Sequence, residues 1–214
     1  MKIVIMGAGG HGRVVLDILQ HHPEFKVIGF LDSDKKLHGK NVDGIPVLGG
    51  FSFLSVLIKK GTRGIIIAIG DNQARADFAR RIKRKYKGKI ELINAIHPTA
   101  TIAKNACLGK GVVVAAGAII CAHAKIGNNV VVNTGAIVEH ENIIEDNVHL
   151  SPGVRLAGRV RIKKGAHIGI GSTIIEMLTI GENSIVGAGS VVIKDISSNV
   201  TAVGIPTKVI KKRR

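Results

Sequence analysis

Residues 130–168 read VVVNTGAIVEHENIIEDNVHLSPGVRLAGRVRIKKGAHI, and every sixth position from Val132 onward is aliphatic. The rule extends in both directions. Stepping by six from Ile96 gives Ile96, Ile102, Leu108, Val114, Ile120, Ile126, Val132, Val138, Ile144, Leu150, Leu156, Ile162, Ile168, Ile174, Ile180, Val186 and Val192. Four places after each stands Ala, Val or Ser, with Asn142, Leu178 and Ile196 as the exceptions. A hexapeptide period sustained this long is the mark of a parallel β-helix. Each hexad forms one short flat side, with its aliphatic residue inward and the small residue beside a corner. Three sides close a coil of about 18 residues, coils stack at about 4.8 Å, and residues 18 apart lie above one another. The repeat predicts about six coils over residues 96–196 with no long loop inserted.

Upstream the chain has a different grammar. Lys2–Met6 is a short apolar run ending in glycines, and Arg13–Leu19 carries apolar residues at helical spacing. Lys26–Leu31 and Gly64–Ile69 read as further strands, and Phe51–Lys60 and Asn72–Lys87 as helices. Alternation of this kind predicts a small parallel α/β sheet over residues 1–95, with a ligand crevice at the carboxyl ends of its strands. Gly7, Gly9 and Gly12 satisfy GxGxxG between a strand and a helix, with Asp32 about 20 residues further on. That spacing fits a dinucleotide, but the physics serves any diphosphate: glycines let backbone amides approach, and the helix N-terminus favours negative charge.

Composition narrows the functional classes. Of the 214 residues 45% are hydrophobic but only 3% aromatic, which excludes disorder and disfavours base-stacking nucleic-acid modules. The formal charge of +16 is spread over both parts and suits ligands rich in phosphate, with local runs at Arg80–Lys85 and at the terminal Lys211-Lys212-Arg213-Arg214. The last run reads as part of a solvated C-terminal tail over residues 197–214. No segment has the length or the h-region of a membrane span or signal peptide, so no membrane insertion and a cytoplasmic location are expected. Cys107 and Cys121 have no CxxC or disulfide-like spacing and read as ordinary repeat residues.

Six motifs, GAGGHG (7–12), FLDSD (30–34), AIGDN (68–72), NTGAIVEHE (133–141), VHLSPG (148–153) and VGIP (203–206), give the chain its resemblance to a known group. In order and spacing they are similar to those of the hexapeptide-repeat acyltransferases of the sialic acid O-acetyltransferase-like and UDP-4-amino-sugar N-acetyltransferase type, the latter from bacillosamine synthesis. The resemblance implies a Rossmann-like nucleotide-sugar-binding domain at 1–95 and a left-handed parallel β-helix at 96–196. It further implies acetyl-CoA as acyl donor and a homotrimer with active sites between subunits. By motif match the nucleotide sugar falls to Gly9, Gly10 and His11, with Asp32, Ser33 and Gly70 nearby.

His140 lies in Glu139-His140-Glu141, the most polar stretch of the repeat, and an adjacent carboxylate can fix one imidazole tautomer and raise its basicity. The resemblance makes His140 the general base and Glu141 its partner. Counting 18 onward places Gly158 beside His140, leaving room for a thioester, and His167 beside His149. By family match His149 contacts the acetyl-CoA carbonyl region. The column Pro152, Ile170, Ala188 offers small or apolar residues along which pantetheine can lie. Three features depart from the family pattern: Asn142 and Glu145 stand in its Cys and Gly positions, and Glu176-Met177 in a Pro-Gly-like turn.

The reading that follows is transfer of acetyl from acetyl-CoA to the amino group of a nucleotide-linked 4-amino-4,6-dideoxy sugar, direct rather than through an acyl-enzyme. Neither cysteine has the partners of a nucleophile. O-acetylation of a sugar or sialic acid is the alternative chemistry. A non-catalytic nucleotide-sugar-binding protein and an NAD-binding oxidoreductase module are the alternatives of other classes. No metal is expected, because His123, His140, His149 and His167 lack the closely spaced pair of a three-histidine zinc site.

Overall fold

In the computed structural model, which describes residues 1–213, the chain forms two compact units, Met1–Ile96 and a second from His97 onward. The first is built on β1 (Lys2–Met6), α1 (Gly10–Gln20), β2 (Lys26–Leu31), β3 (Asn41–Val42), β4 (Ile45–Gly49), α2 (Leu54–Lys59), β5 (Gly64–Ile67), α3 (Asn72–Tyr86) and β6 (Glu91–Leu92). Its sheet runs β3-β4-β2-β1-β5-β6, parallel except for the β3–β4 hairpin. The order reverses between β1 and β5, and at such a switch point the loops after the two strands part and leave a crevice. One side of the sheet packs Val4, Met6, Leu31, Ile65 and Ile67 against Leu54, Leu57, Ile82 and Tyr86 of α2 and α3.

Sequence reading anticipated the helices closely, although Phe51–Phe53 is a 3-10 turn ahead of α2 and β5 stops at Ile67. It missed the β3–β4 hairpin. Asp43 and Gly44, both at positive φ (47° and 80°), make its two-residue turn, the conformation that an Asp-Gly pair favours.

The second unit is a left-handed parallel β-helix of two-residue strands separated by turns. Three stacked columns carry the interior: Val114, Val132, Leu150, Ile168 and Val186; Ile120, Val138, Leu156, Ile174 and Val192; Ile126, Ile144, Ile162 and Ile180. Each of these side chains is at most 3% exposed, so the hexad aliphatics form a continuous core. Up to the last coil, each strand also hydrogen-bonds the strand 18 residues away, so the prism satisfies its own backbone.

The last coil is shorter. Ile180 pairs with Ile196, and Ile185 with Thr201, at offsets of 16 rather than 18 residues. That turns Ile196 inward, 6% exposed, and explains why an isoleucine breaks the small-residue rule there. The segment expected as a tail carries two strands instead. Val200–Val203 extends one face parallel to Ile185–Val186, and Lys208–Lys212 folds back antiparallel on it. The returning strand has Lys208, Lys211 and Lys212 exposed, and lysines on an edge discourage pairing with another sheet. Arg214, the end of the basic run, lies outside the described residues. No helix among the described residues is long and apolar enough to cross a membrane.

Candidate functional sites

In the first unit, the loops after β1, β2 and β5 are tied together by short bonds. Gly7 N–H donates to Leu31 O at 2.7 Å, and Ala68 N–H to Met6 O at 2.7 Å. The Asp32 carboxylate accepts from Ala8 N–H at 2.7 Å and from Asp34 N–H at 2.8 Å, so it joins the glycine loop to the loop after β2. A Cβ on Gly12 would lie 2.1 Å from Gly7 O, so this glycine permits the close helix–strand packing that aims the start of α1 at the crevice. Gly9, Gly10 and Gly70 have nothing within 4 Å of such a Cβ, so the side-chain face of each is empty space. Ser33, next to Asp32 in the loop after β2, is exposed.

Behind this surface lies a cation that sequence reading assigned only to a basic helix. Arg75 is fully buried. Its Nη1 donates to Ile69 O at 3.0 Å and Gly70 O at 3.2 Å, and its Nη2 to Asn72 Oδ1 at 2.7 Å. Burial lowers its pKa to about 10, against the opposing pull of Asp71, so the guanidinium stays charged. Burial, and then Arg75, push the His11 pKa down to about 4, so this imidazole is neutral at ordinary pH. A buried positive charge under a glycine loop and helix N-terminus makes this end of the sheet attractive to anions.

In the second unit the turns stack into three edges whose left-handed positions differ in composition. On one edge they are Gly117, Gly135, Gly153, Gly171 and Gly189, and on another Gly111, Asn129, Asn147, Gly165, Asn183 and Asn199. On the third they are His123, Glu141, Arg159 and Met177, all with φ between 58° and 60°. Residues other than glycine and asparagine cost about 1–2 kcal/mol each in this region. Such strain gathers where side chains serve a purpose other than folding.

His140 and Glu141 occupy that third edge. Glu141 Oε2 lies 3.2 Å from His140 Nδ1 and also accepts from Arg159 Nε at 3.0 Å. Arg159, then His140, hold the Glu141 carboxyl below the usual carboxylate range. Asn142, fully buried where the repeat carries a small aliphatic, donates to Glu139 O at 2.9 Å and accepts from Val160 N–H at 2.5 Å. This departure from the family pattern therefore clamps the histidine turn to the next coil. Glu145, a second departure, pairs with Arg161 at 2.9 Å. Burial, and then Glu139, push the Cys121 thiol pKa up, the opposite of what a nucleophilic thiolate needs.

One expectation is corrected here. A Cβ on Gly158 would stand 2.5 Å from His140 Nε2 and 2.6 Å from Cε1, so the imidazole itself fills the space that was expected to take a thioester. Glycine at 158 makes room for the histidine.

The remaining candidates lie elsewhere on the prism. His149 and His167 stack on the face between the other two edges, with ring centroids 4.7 Å apart, and His149 is 8% exposed. Ser151 Oγ is 3.1 Å from His167 Nε2, and Asn133 Nδ2 is 3.5 Å from His149 Nε2. Pro152, Ile170 and Ala188 run along the all-glycine edge, where Ile170 is 57% exposed, an unusual position for so large an apolar side chain. Within one chain, then, the His140 edge and the Ile170 edge are different edges. His123 shares the edge of His140, bonded to Asn105 at 3.0 Å, whereas His149 and His167 lie on the opposite face.

Comparison with known proteins places this architecture. Residues 2–82 match the PglD N-terminal domain. UDP-N-acetylbacillosamine N-acetyltransferase of Bacillus subtilis (strain 168) is 41% identical over 118 residues, which span 54% of this chain and 51% of that protein. PerB from Caulobacter crescentus, solved in complex with CoA and GDP-perosamine, superposes with a TM-score of 0.92 at 37% identity, covering 99% of this chain and 98% of the other. The acetyltransferase domain of PglB from Neisseria gonorrhoeae FA1090, in complex with acetyl coenzyme A, superposes at 0.87 with 32% identity and 98% coverage of both. A PglD-type first unit, a hexapeptide β-helix and full-length likeness to PerB together mean that this chain belongs to the left-handed β-helix acyltransferases of the nucleotide-sugar N-acetyltransferase family.

Proposed function

We propose that this chain transfers the acetyl group of acetyl-CoA to the amino group of a nucleotide-linked amino sugar, with His140 as general base. Its kinship with enzymes of that reaction gives the class, and the His140–Glu141–Arg159 cluster on a strained edge is the single observation that carries the mechanism. The sugar nucleotide belongs at the loops of the first unit. There the empty side-chain faces of Gly9, Gly10 and Gly70 let the diphosphate approach the loops over Arg75, with Asp32 holding the loops in register and His11 and Ser33 completing the set. A thioester supplies the activated acetyl group.

With Nδ1–H donated to Glu141, His140 keeps Nε2 unprotonated to take the proton as the amine bonds to the acetyl carbon. Glu141 stabilises the imidazolium that results, and as the carbon–sulfur bond breaks the imidazolium passes that proton to the departing CoA thiolate, which returns His140 to its neutral form. His149 and the exposed Ile170 and Ala188 are assigned to acetyl-CoA. Because they stand on another face and edge from His140, a complete site draws them from a neighbouring copy, which supports a homotrimer of prisms.

The reading is tested by incubating the protein with acetyl-CoA and a panel of UDP-, GDP-, dTDP- and CMP-linked amino sugars and following products by mass. One member is expected to gain an acetyl group that survives mild base, as an amide does and an ester does not. A base-labile product would redirect the reading to O-acetylation, and no acetylated product with any member would reject it.

A further inference from the structure

The edge that bears His140 holds a charged side chain, Arg159, that touches the His140–Glu141 pair and to which the reaction above gives no separate role. Arg159 lies one coil beyond Glu141, and its backbone N–H donates to His140 O at 3.0 Å. Both residues adopt left-handed backbone, φ 58° at Glu141 and 59° at Arg159. The equivalent position on the neighbouring edges is glycine or asparagine throughout, so an arginine here is held against local preference. Its Nε reaches the same carboxylate oxygen, Oε2, that faces His140 Nδ1.

A carboxylate on a flexible side chain can swing away from its histidine, and one bonded from two directions cannot. We propose that Arg159 is a positioning residue that pins the Glu141 carboxylate against His140 Nδ1 and so fixes the imidazole with Nε2 poised over Gly158. The inference rests on the acetyltransfer reading. It adds a third member to the His–Glu pair, supplied by the next coil and reached through stacking, which neighbouring positions in the sequence do not reveal. Asn142 assists from below by tying the same turn to Val160 N–H, so the carboxylate and the turn are anchored independently.

The test compares kcat and both KM values for the wild type, Arg159→Asn, Arg159→Lys, Glu141→Gln and the double variant Glu141→Gln/Arg159→Asn. Asparagine already occupies left-handed turns at Asn129, Asn147 and Asn183, so the fold has precedent for it. Arg159→Asn is expected to lower kcat on the order of tenfold with both KM values within about twofold, and Arg159→Lys to recover part of the loss. The thermal midpoint of Arg159→Asn should not fall. In the Glu141→Gln background the Arg159→Asn change should have little further effect, because its target is already gone.

Three results would overturn the proposal: an unchanged kcat in Arg159→Asn, a full independent loss in the double variant, or a raised KM at constant kcat. The last would put Arg159 on a substrate phosphate instead. A wild type that acetylates no nucleotide amino sugar would reject the underlying reading along with this one, whereas an active wild type with an unaffected Arg159→Asn would reject this inference alone.

Discussion

At the start of α1, His11 is kept neutral by burial and by the guanidinium of Arg75, with a pKa of about 4 against an ordinary 6.5. In the unfolded chain the same imidazole takes up a proton as pH falls through about 6.5, so between these values the unfolded state binds more protons and stability drops with pH. The ring is partly exposed, which tempers the effect to roughly 2–3 kcal/mol. Denaturant unfolding at pH 7 and pH 4 should therefore show a wild-type loss larger by about that amount than the loss in His11→Asn. Equal losses would mean that His11 is solvated and charged in the fold. Arg75 illustrates what residue-level reading misses: within the basic α3 its sequence context matches its exposed neighbours, and only the placement of β5 shows it buried under Ile69 and Gly70. Arg159 was hidden differently. The 18-residue arithmetic that led from His140 to Gly158 leads equally from Glu141 to Arg159, but only side-chain geometry shows that both nitrogens meet one oxygen.

Among the elements, the hexads were the most legible, because a period of six with an aliphatic residue at each step has one way to be buried and the pairings follow it from Ile102 to Val192. Legibility failed where the period changed. The last coil shortens to an offset of 16 residues, and two strands follow it, Val200–Val203 and Lys208–Lys212, because the turn at 204–207 lets the chain fold back on itself. The turns carried a signal of their own, since glycine and asparagine mark two edges and the third is told by their absence. Met177 is the member of that third edge with the least local support, 67% exposed at φ 59°. Met177→Gly removes the steric strain but enlarges the freedom of the unfolded chain, so a net gain of about 0.5–1 kcal/mol is expected. A thermal midpoint that rises while activity holds would bear this out, and a lowered midpoint would show that the methionine side chain stabilises the edge.

For the molecule as a whole, the division of candidate residues between two edges of one prism matters most. If the site is shared between copies, light scattering should find three 22.6 kDa chains per particle at micromolar concentration. Mixing His140→Ala chains with Ile170→Glu chains should then restore activity that neither has alone, since some shared sites receive both intact edges. A fully active monomer would contradict the shared site. The central claim is that His140 removes the proton in acetyl transfer, and the most direct test is kcat of His140→Ala with acetyl-CoA and the nucleotide amino sugar both saturating. A fall on the order of 10²- to 10⁴-fold is expected, with the fold and both substrate affinities nearly intact. A variant that keeps more than about a third of the wild-type rate would contradict the mechanism, because general-base removal costs at least ~10²-fold.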